Sequence, residues 1–301
     1  MRDLLFIGGY RGCIVSVRRD PRTGRLTPAG DVARTENPSF LAAHPRLPIV
    51  YAAGEIQEGE ITVWNADLRP KQRVSSGGAE PCHVNVVDDM LVTTNYGSGT
   101  VAVHELSQYG RIGALKTLLT GHTRPHQSTV DGDDLLVTDL GQDLIYRYGP
   151  GETVAALGGP RHLIRMDDYA YVLGENDASL TIFEVPSWTV MRKVATSKAG
   201  GRVYPSDLVA ADGRLYVGNR GPDTIAVFTL DGTYETEVPS GGTWPRHLCL
   251  DICPEGEFLH VSNQHSNTVA TFRSTLDGLE QVAELSTPSP ACVILAPWTS
   301  R

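Results

Sequence analysis

Four of the nine histidines in this chain sit one or two residues after a proline: Pro81-Cys82-His83, Pro125-His126, Pro160-Arg161-His162 and Pro245-Arg246-His247. Ser39 and Asp207 follow Pro38 and Pro205 in the same way. A second polar set lies further along each segment: Glu55, Asn95, Asp139, Glu175, Asn219 with Arg220, and Asn263. Imidazole exchanges protons near neutral pH, guanidinium grips carboxylate or phosphate through paired hydrogen bonds, and carboxylates serve as bases. Such groups could bind a small anion and move a proton, provided the chain brings them together. Singly, each has a plainer reading: Pro-x-His is an ordinary turn-to-strand junction, and Asn or Asp after a strand is usually a turn former.

The elements that must position these residues are legible from the prolines. Pro38, Pro81, Pro125, Pro160, Pro205, Pro245 and Pro290 are spaced by 43, 44, 35, 45, 40 and 45 residues, each just ahead of a short apolar run. A period in the low forties, in a chain of strands and turns, is the mark of a β-propeller with one blade per repeat. The stretch from Pro81 reads as a blade: strand 82–87, turn at Asp88-Asp89, strand 90–94, turn 95–99, strand 100–106, and a weaker outer strand near 115–119. Pro290-Ala-Cys-Val-Ile-Leu is an innermost strand with nothing after it, and residues 1–35 supply three strands with no innermost strand before them. The expectation is an all-β seven-bladed propeller of four-stranded antiparallel blades, one domain over residues 1–301. Its ring is closed by N-terminal strands plus the C-terminal strand, which removes exposed sheet edges.

In that architecture the first strand of each blade starts, and the second ends, at one mouth of the central channel. The two polar sets above therefore converge there, where a concave site with a few convergent polar groups is expected. His44, His104, His122, His260 and His265 fall on turns or outer positions and are expected at the surface. Cys82 is expected in core packing, because its strand phase opposes that of His83.

Composition narrows the class. Hydrophobic residues at 41% and charged residues at 20% suit a folded globular protein. A formal charge of −9 argues against a nucleic-acid partner. No segment approaches the roughly 20 apolar residues of a membrane span, and the apolar start is too short for a signal peptide and reads as a strand. Cys13, Cys82, Cys249, Cys253 and Cys292 make an odd count without paired spacing, which fits reduced thiols in a cytoplasm. Cys249-x-x-x-Cys253 lacks companions with zinc spacing, and Gly97-x-Gly99 joins two strands rather than opening a helix, so neither metal nor dinucleotide is expected. There is no Gly-x-Ser-x-Gly elbow, His-Glu-x-x-His or P-loop.

The motifs Asn37-Pro-Ser-Phe-Leu, Pro81-Cys-His-Val, Asn95-Tyr-Gly-Ser-Gly-Thr-Val, Asp139-Leu-Gly-Gln-Asp, Gly159-Pro-Arg-His-Leu, Asn219-Arg-Gly-Pro-Asp-Thr-Ile-Ala-Val-Phe and Trp244-Pro-Arg-His span nearly the whole chain. In them the chain resembles the lactonase family of seven-bladed propellers, which includes 6-phosphogluconolactonases and carboxy-cis,cis-muconate cyclases. The resemblance implies a catalytic set of His126, Arg161, Arg246 and Glu175. Around it, His83, His162, His247, Asn95, Asp139, Asn219, Arg220, Glu55 and Arg124 are candidates for substrate binding. Arg124 stands where a histidine is frequent in the family, Asp207 where a glutamate is, and His247 where Asp or Phe is more usual.

Two functions follow from the resemblance, and a third stands apart from it. The first is metal-free hydrolysis of a small anionic sugar lactone, 6-phosphogluconolactone leading. Glu175 would be the base, His126 would donate a proton or share the base role, and the two arginines would hold the anion and the developing oxyanion. The second is a muconate-type cyclase using the same groups, and the third is a non-catalytic binding platform. A small anionic substrate, no cofactor, no nucleic acid, no membrane, and a monomer or weak homo-oligomer complete the expectation.

Overall fold

Each marker proline lies at the start of an innermost strand of a four-stranded antiparallel sheet, and there are seven such sheets. The fold comes from a computed structural model that describes residues 3–275 and 278–298. Blades 1 to 6 comprise residues 38–75, 81–119, 125–155, 160–195, 204–239 and 245–286. Blade 7 joins the two ends of the chain: Pro290–Leu295 pairs with Leu4–Gly9, which pairs with Cys13–Arg19 and then Leu26–Arg34. The innermost strands contact one another in sequence around the ring, from Pro38–Ala43 through to Pro290–Leu295.

Local chemistry dictates the meander. First and second strands turn through tight hairpins whose leading residue has positive φ, at Asp88 (51°), Gly132 (60°), Asp167 (47°) and Asp212 (46°). Such turns match strand twist, and Gly or Asp tolerates that φ best. Blade 1 uses a longer connection, organised by the His44 imidazole, whose Nδ1 accepts from the amides of Arg46 and Leu47 at 3.1 Å. His44 is thus buried, contrary to the surface role expected of it. His104 on a third strand, His122 in a loop and His260 on a second strand are buried too, enclosed by the packing of blade against blade. Only His265 of that group is exposed.

The core lies between blades rather than at the centre. Seven apolar clusters occupy the seven interfaces, as where Phe6 and Ile14 of blade 7 meet Leu41, Val50 and Ala52 of blade 1. Each fully buried large apolar side chain contributes about 1.5–3 kcal/mol, so every blade depends on both neighbours. The outermost strands, such as Thr189–Ala195, are largely exposed. At the closing interface Arg19 of blade 7 donates to Asp251 of blade 6 at 2.9 Å, both buried, with His260 Nε2 at 3.4 Å from the same carboxylate.

One irregularity recurs in every blade. Pro38, Pro81, Pro125, Pro160, Pro205 and Pro245 pair with the second strand, and then the register slips, leaving one extra residue on the inner strand. Blade 7 slips likewise at Gly8/Gly9, opposite Ala291. A β-bulge of this kind bends the strand and re-aims a side chain. It is this bulge that aims side chains into the mouth.

Candidate active site

Two rings of side chains meet at the mouth. The first is the bulge ring, formed by Ser39, Cys82, His126, Arg161, Ser206, Arg246 and Ala291. The second is formed by the residue after the marker proline's partner on each second strand: Tyr10, Glu55, Tyr96, Leu140, Glu175, Arg220 and Gln264, of which Arg220 still pairs with Tyr204. In six blades the amide of the second-ring residue donates to the carbonyl of the residue before the marker proline, as Glu175 does to Gly159 at 2.9 Å and Glu55 to Asn37 at 3.0 Å. That preceding residue often adopts positive φ, including Asn37, Glu80 and Trp244.

Nine of these residues enclose a cavity of about 200 Å³: Glu55, Cys82, Tyr96, His126, Leu140, Arg161, Glu175, Arg220 and Arg246. Glu175 Oε2 lies 2.8 Å from Arg220 Nη2 and 3.3 Å from Arg161 Nη1. Arg161 also donates from Nε to the Ser206 carbonyl at 2.8 Å and from Nη1 to His126 Nε2. Glu55 Oε2 accepts from the Tyr10 hydroxyl at 2.7 Å and faces Arg246 Nη2 at 3.7 Å, with the Arg246 guanidinium over the Tyr10 ring. Three guanidinium groups thus meet two carboxylates, leaving surplus positive charge for an anion.

Electrostatics set the protonation states. Burial would raise Glu175, but Arg161 and Arg220 outweigh it and hold the carboxyl below its usual range. Burial, reinforced by Arg161, pushes His126 well below an ordinary imidazole, so it is neutral. Burial and Arg161 bring Arg220 down to about 9, where it remains a cation at neutral pH.

The site gathers the four expected catalytic residues together with Glu55 and Arg220. The other expected binding residues lie elsewhere. Asn95 and Asn219 point their amides at the carbonyls of Ser76 and Thr196 at the ends of preceding blades, and Asn263 does the same with Ser240. The Asp139 carboxylate accepts from the amides of Thr123, Arg124, Gly141 and Gln142. These residues clamp neighbouring segments, and the residues after Asn95, Asp139 and Asn219 line the pocket. His83 and His162, both buried, and His247, partly exposed, lie one residue beyond the bulge and form a layer beneath the pocket, outside its lining. Arg124 is exposed at the rim, 6.0 Å from the Tyr96 ring. Cys82 is buried, as expected of it, and as the bulge residue it also borders the pocket, its Sγ 3.2 Å from the His126 carbonyl. Burial raises its thiol pKa, so it is no thiolate.

Sequence reasoning missed Tyr10, Tyr96 and Leu140 as lining or supporting residues, and Trp244, whose ring lies between the Arg220 guanidinium and stacked His265. Their signal was positional: each of the first three directly follows a second strand, but an aromatic or leucine there looks like packing.

Among the described residues no three His, Cys, Asp or Glu side chains are grouped as a metal ion would require. No helix is long and apolar enough to cross a membrane. A larger groove of about 460 Å³ lies between blades 4 and 5, lined by Met166, Tyr169, Ile182, Met191 and Leu230 among others, and lacks convergent catalytic groups.

Known proteins share this architecture. The chain is 28% identical to a 6-phosphogluconolactonase of Bacillus subtilis, with 95% of each chain covered. It is 24% identical to a 6-phosphogluconolactonase of Formosa agariphila over 85% of this chain and 86% of that one. The solved periplasmic gluconolactonase PpgL of Pseudomonas aeruginosa superposes with a TM-score of 0.87 at 22% identity, covering 98% of this chain and 99% of that one, which establishes the common fold. The family model described as Lactonase, 7-bladed beta-propeller matches residues 4–295, and the chain belongs to that family.

Proposed function

We propose that this protein hydrolyses a small anionic sugar lactone, with 6-phosphogluconolactone the leading substrate. The observation that carries the reading is the convergence of His126, Arg161, Arg220, Arg246, Glu55 and Glu175 on one small cavity. Surplus guanidinium charge suits a phosphate or carboxylate tail and the oxyanion that develops on the lactone carbonyl. The relatives named 6-phosphogluconolactonase support the substrate class.

The protonation states reassign two roles. Glu175, depressed by two arginines, is a weak base, and its use is to orient Arg161 and Arg220. His126, neutral and likewise depressed by burial, takes the proton from water as the lactone carbonyl is attacked, and needs a partner for the charge it gains. Its Nε2 lone pair is occupied by Arg161, so a substrate anion that draws Arg161 away frees the base as it binds. The reading needs no metal. Five unpaired cysteines support a reducing compartment, the cytoplasm.

The test is acid release from 6-phosphogluconolactone above its spontaneous rate, with a carboxymuconate offered in parallel. His126→Gln is expected to lower turnover by about 10²–10⁴. No acceleration by the wild-type protein overturns the reading.

A further inference from the structure

The floor of the pocket is built from groups that the reaction above leaves unused. Beneath the bulge ring, Phe40, His83, His162, Asp207 and His247 form a layer across the channel, and His247 also borders a second cavity of about 530 Å³ lined by inner-strand residues such as Leu208, Leu248 and Val293. Ring centroids are 4.4 Å apart for Phe40 and His83, 6.3 Å for His83 and His162, and 5.6 Å for Phe40 and His247. This layer touches the site through His126, whose ring centroid is 5.2 Å from that of His162.

Two obligate partners set the tautomers. Arginine can only donate, so the bond from Arg161 leaves the His126 proton on Nδ1, which is buried without a partner. The Asp207 carboxylate accepts from His162 Nδ1 at 2.6 Å and from the amides of Leu208 and Leu248 at 2.9 Å, with His247 Nε2 at 3.7 Å. Burial would raise Asp207, but His162, His247 and those amides hold it at about 2. It is therefore an acceptor, and the His162 lone pair falls on Nε2. A spare donor and a spare acceptor thus occupy neighbouring rings.

We propose that His162 and Asp207 are positioning residues that let His126 act as a base, by taking over its Nδ1 proton and holding the resulting charge away from Arg161. This rests on the lactonase reading. When Arg161 leaves for the substrate anion, His126 turns its Nδ1–H, unpartnered at rest, onto His162 Nε2. Water then loses a proton to His126 Nε2 as its oxygen bonds to the lactone carbonyl, and the Nδ1 proton passes to His162 Nε2. The cation then lies beside Asp207 rather than beside Arg161. The proton returns by the same path to the alkoxide as the ring C–O bond breaks, so atoms and charge balance. The charged and titratable groups facing His162 are Asp207, Arg161, Arg246, His83, His126 and His247.

The test pairs kinetics with spectroscopy. Asp207→Asn is expected to lower kcat about 100-fold, leave KM within about threefold, and move the acid limb of the kcat–pH profile to lower pH, with Asp207→Glu restoring part of each. Loss of thermal stability with an unchanged profile overturns the proposal. Long-range ¹⁵N–¹H spectra of the substrate-free wild-type protein at pH 7 are expected to give neutral imidazoles protonated on Nδ1 at both His126 and His162. The other tautomer at either ring overturns it independently of activity. A wild-type protein with these tautomers and no lactone turnover locates the failure in the reaction and ends the proposal with it.

Discussion

Arg161 is the residue on which the site turns, because one guanidinium serves the Ser206 carbonyl, the Glu175 carboxylate and the His126 lone pair together. Its own carbonyl accepts from the Thr138 hydroxyl at 2.8 Å, tying it to blade 3. A lysine would keep the charge and lose the planar fork that makes these contacts simultaneous. Arg161→Lys is therefore expected to reduce kcat by about 10²–10³, the scale of losing an oxyanion donor. Stopped assays of lactone hydrolysis read this directly. Arg246, held only loosely by Glu55 and resting on Tyr10, is freer to meet a substrate anion, so Arg246→Lys is expected to act mainly on KM. Equal effects of the two substitutions on kcat and KM would remove that division of labour.

At the level of the element, the bulge explains both what could be read from the sequence and what could not. Repeat spacing, strand order and closure of the ring were legible, since proline, turn residues and alternation each leave a local mark. The direction of single side chains near the mouth was not, because one inserted residue inverts the alternation that period-2 reasoning assumes. Alternation alone turns Cys82 away from the mouth and His83 toward it; the bulge brings buried Cys82 to the cavity wall and sets His83 beneath it. A second shift of one residue affected the returns: Asn95 and Asp139 looked functional, whereas Tyr96 and Leu140 line the cavity. The Asn side chains instead bind blade to blade, which predicts stability effects. Asn219→Ala leaves the buried Thr196 carbonyl without its amide donor and is expected to cost about 1–3 kcal/mol. Denaturant unfolding measures it, and a cost near zero, or a KM change matching that of Arg246→Lys, would return Asn219 to the binding set.

For the whole molecule, a layer of neutral imidazoles across a closed ring's channel couples folding to pH. Burial depresses His83 to about 3, and depresses His126, His162 and His247 as well. Below the ordinary imidazole value near 6.5, the unfolded chain takes up protons that the folded one refuses. Stability therefore falls with pH, by up to about 1.4 kcal/mol per unit for each such residue, or roughly 5 kcal/mol per unit for four. Asp207 adds to this in stronger acid: held at about 2, its contribution is complete above the ordinary aspartate value and is lost as pH falls toward 2. Against a typical total of about 5–15 kcal/mol, the expected result is cooperative unfolding between pH 6 and 4, followed by near-UV circular dichroism. Replacing His83 with Gln, beside Phe40, removes one proton from the balance. It is expected to reduce the slope of stability against pH by up to about 1.4 kcal/mol per unit. A wild-type melting temperature that stays level from pH 7 to pH 4 would mean that these rings are protonated in the folded state, and the electrostatics assigned to the channel would fall with them.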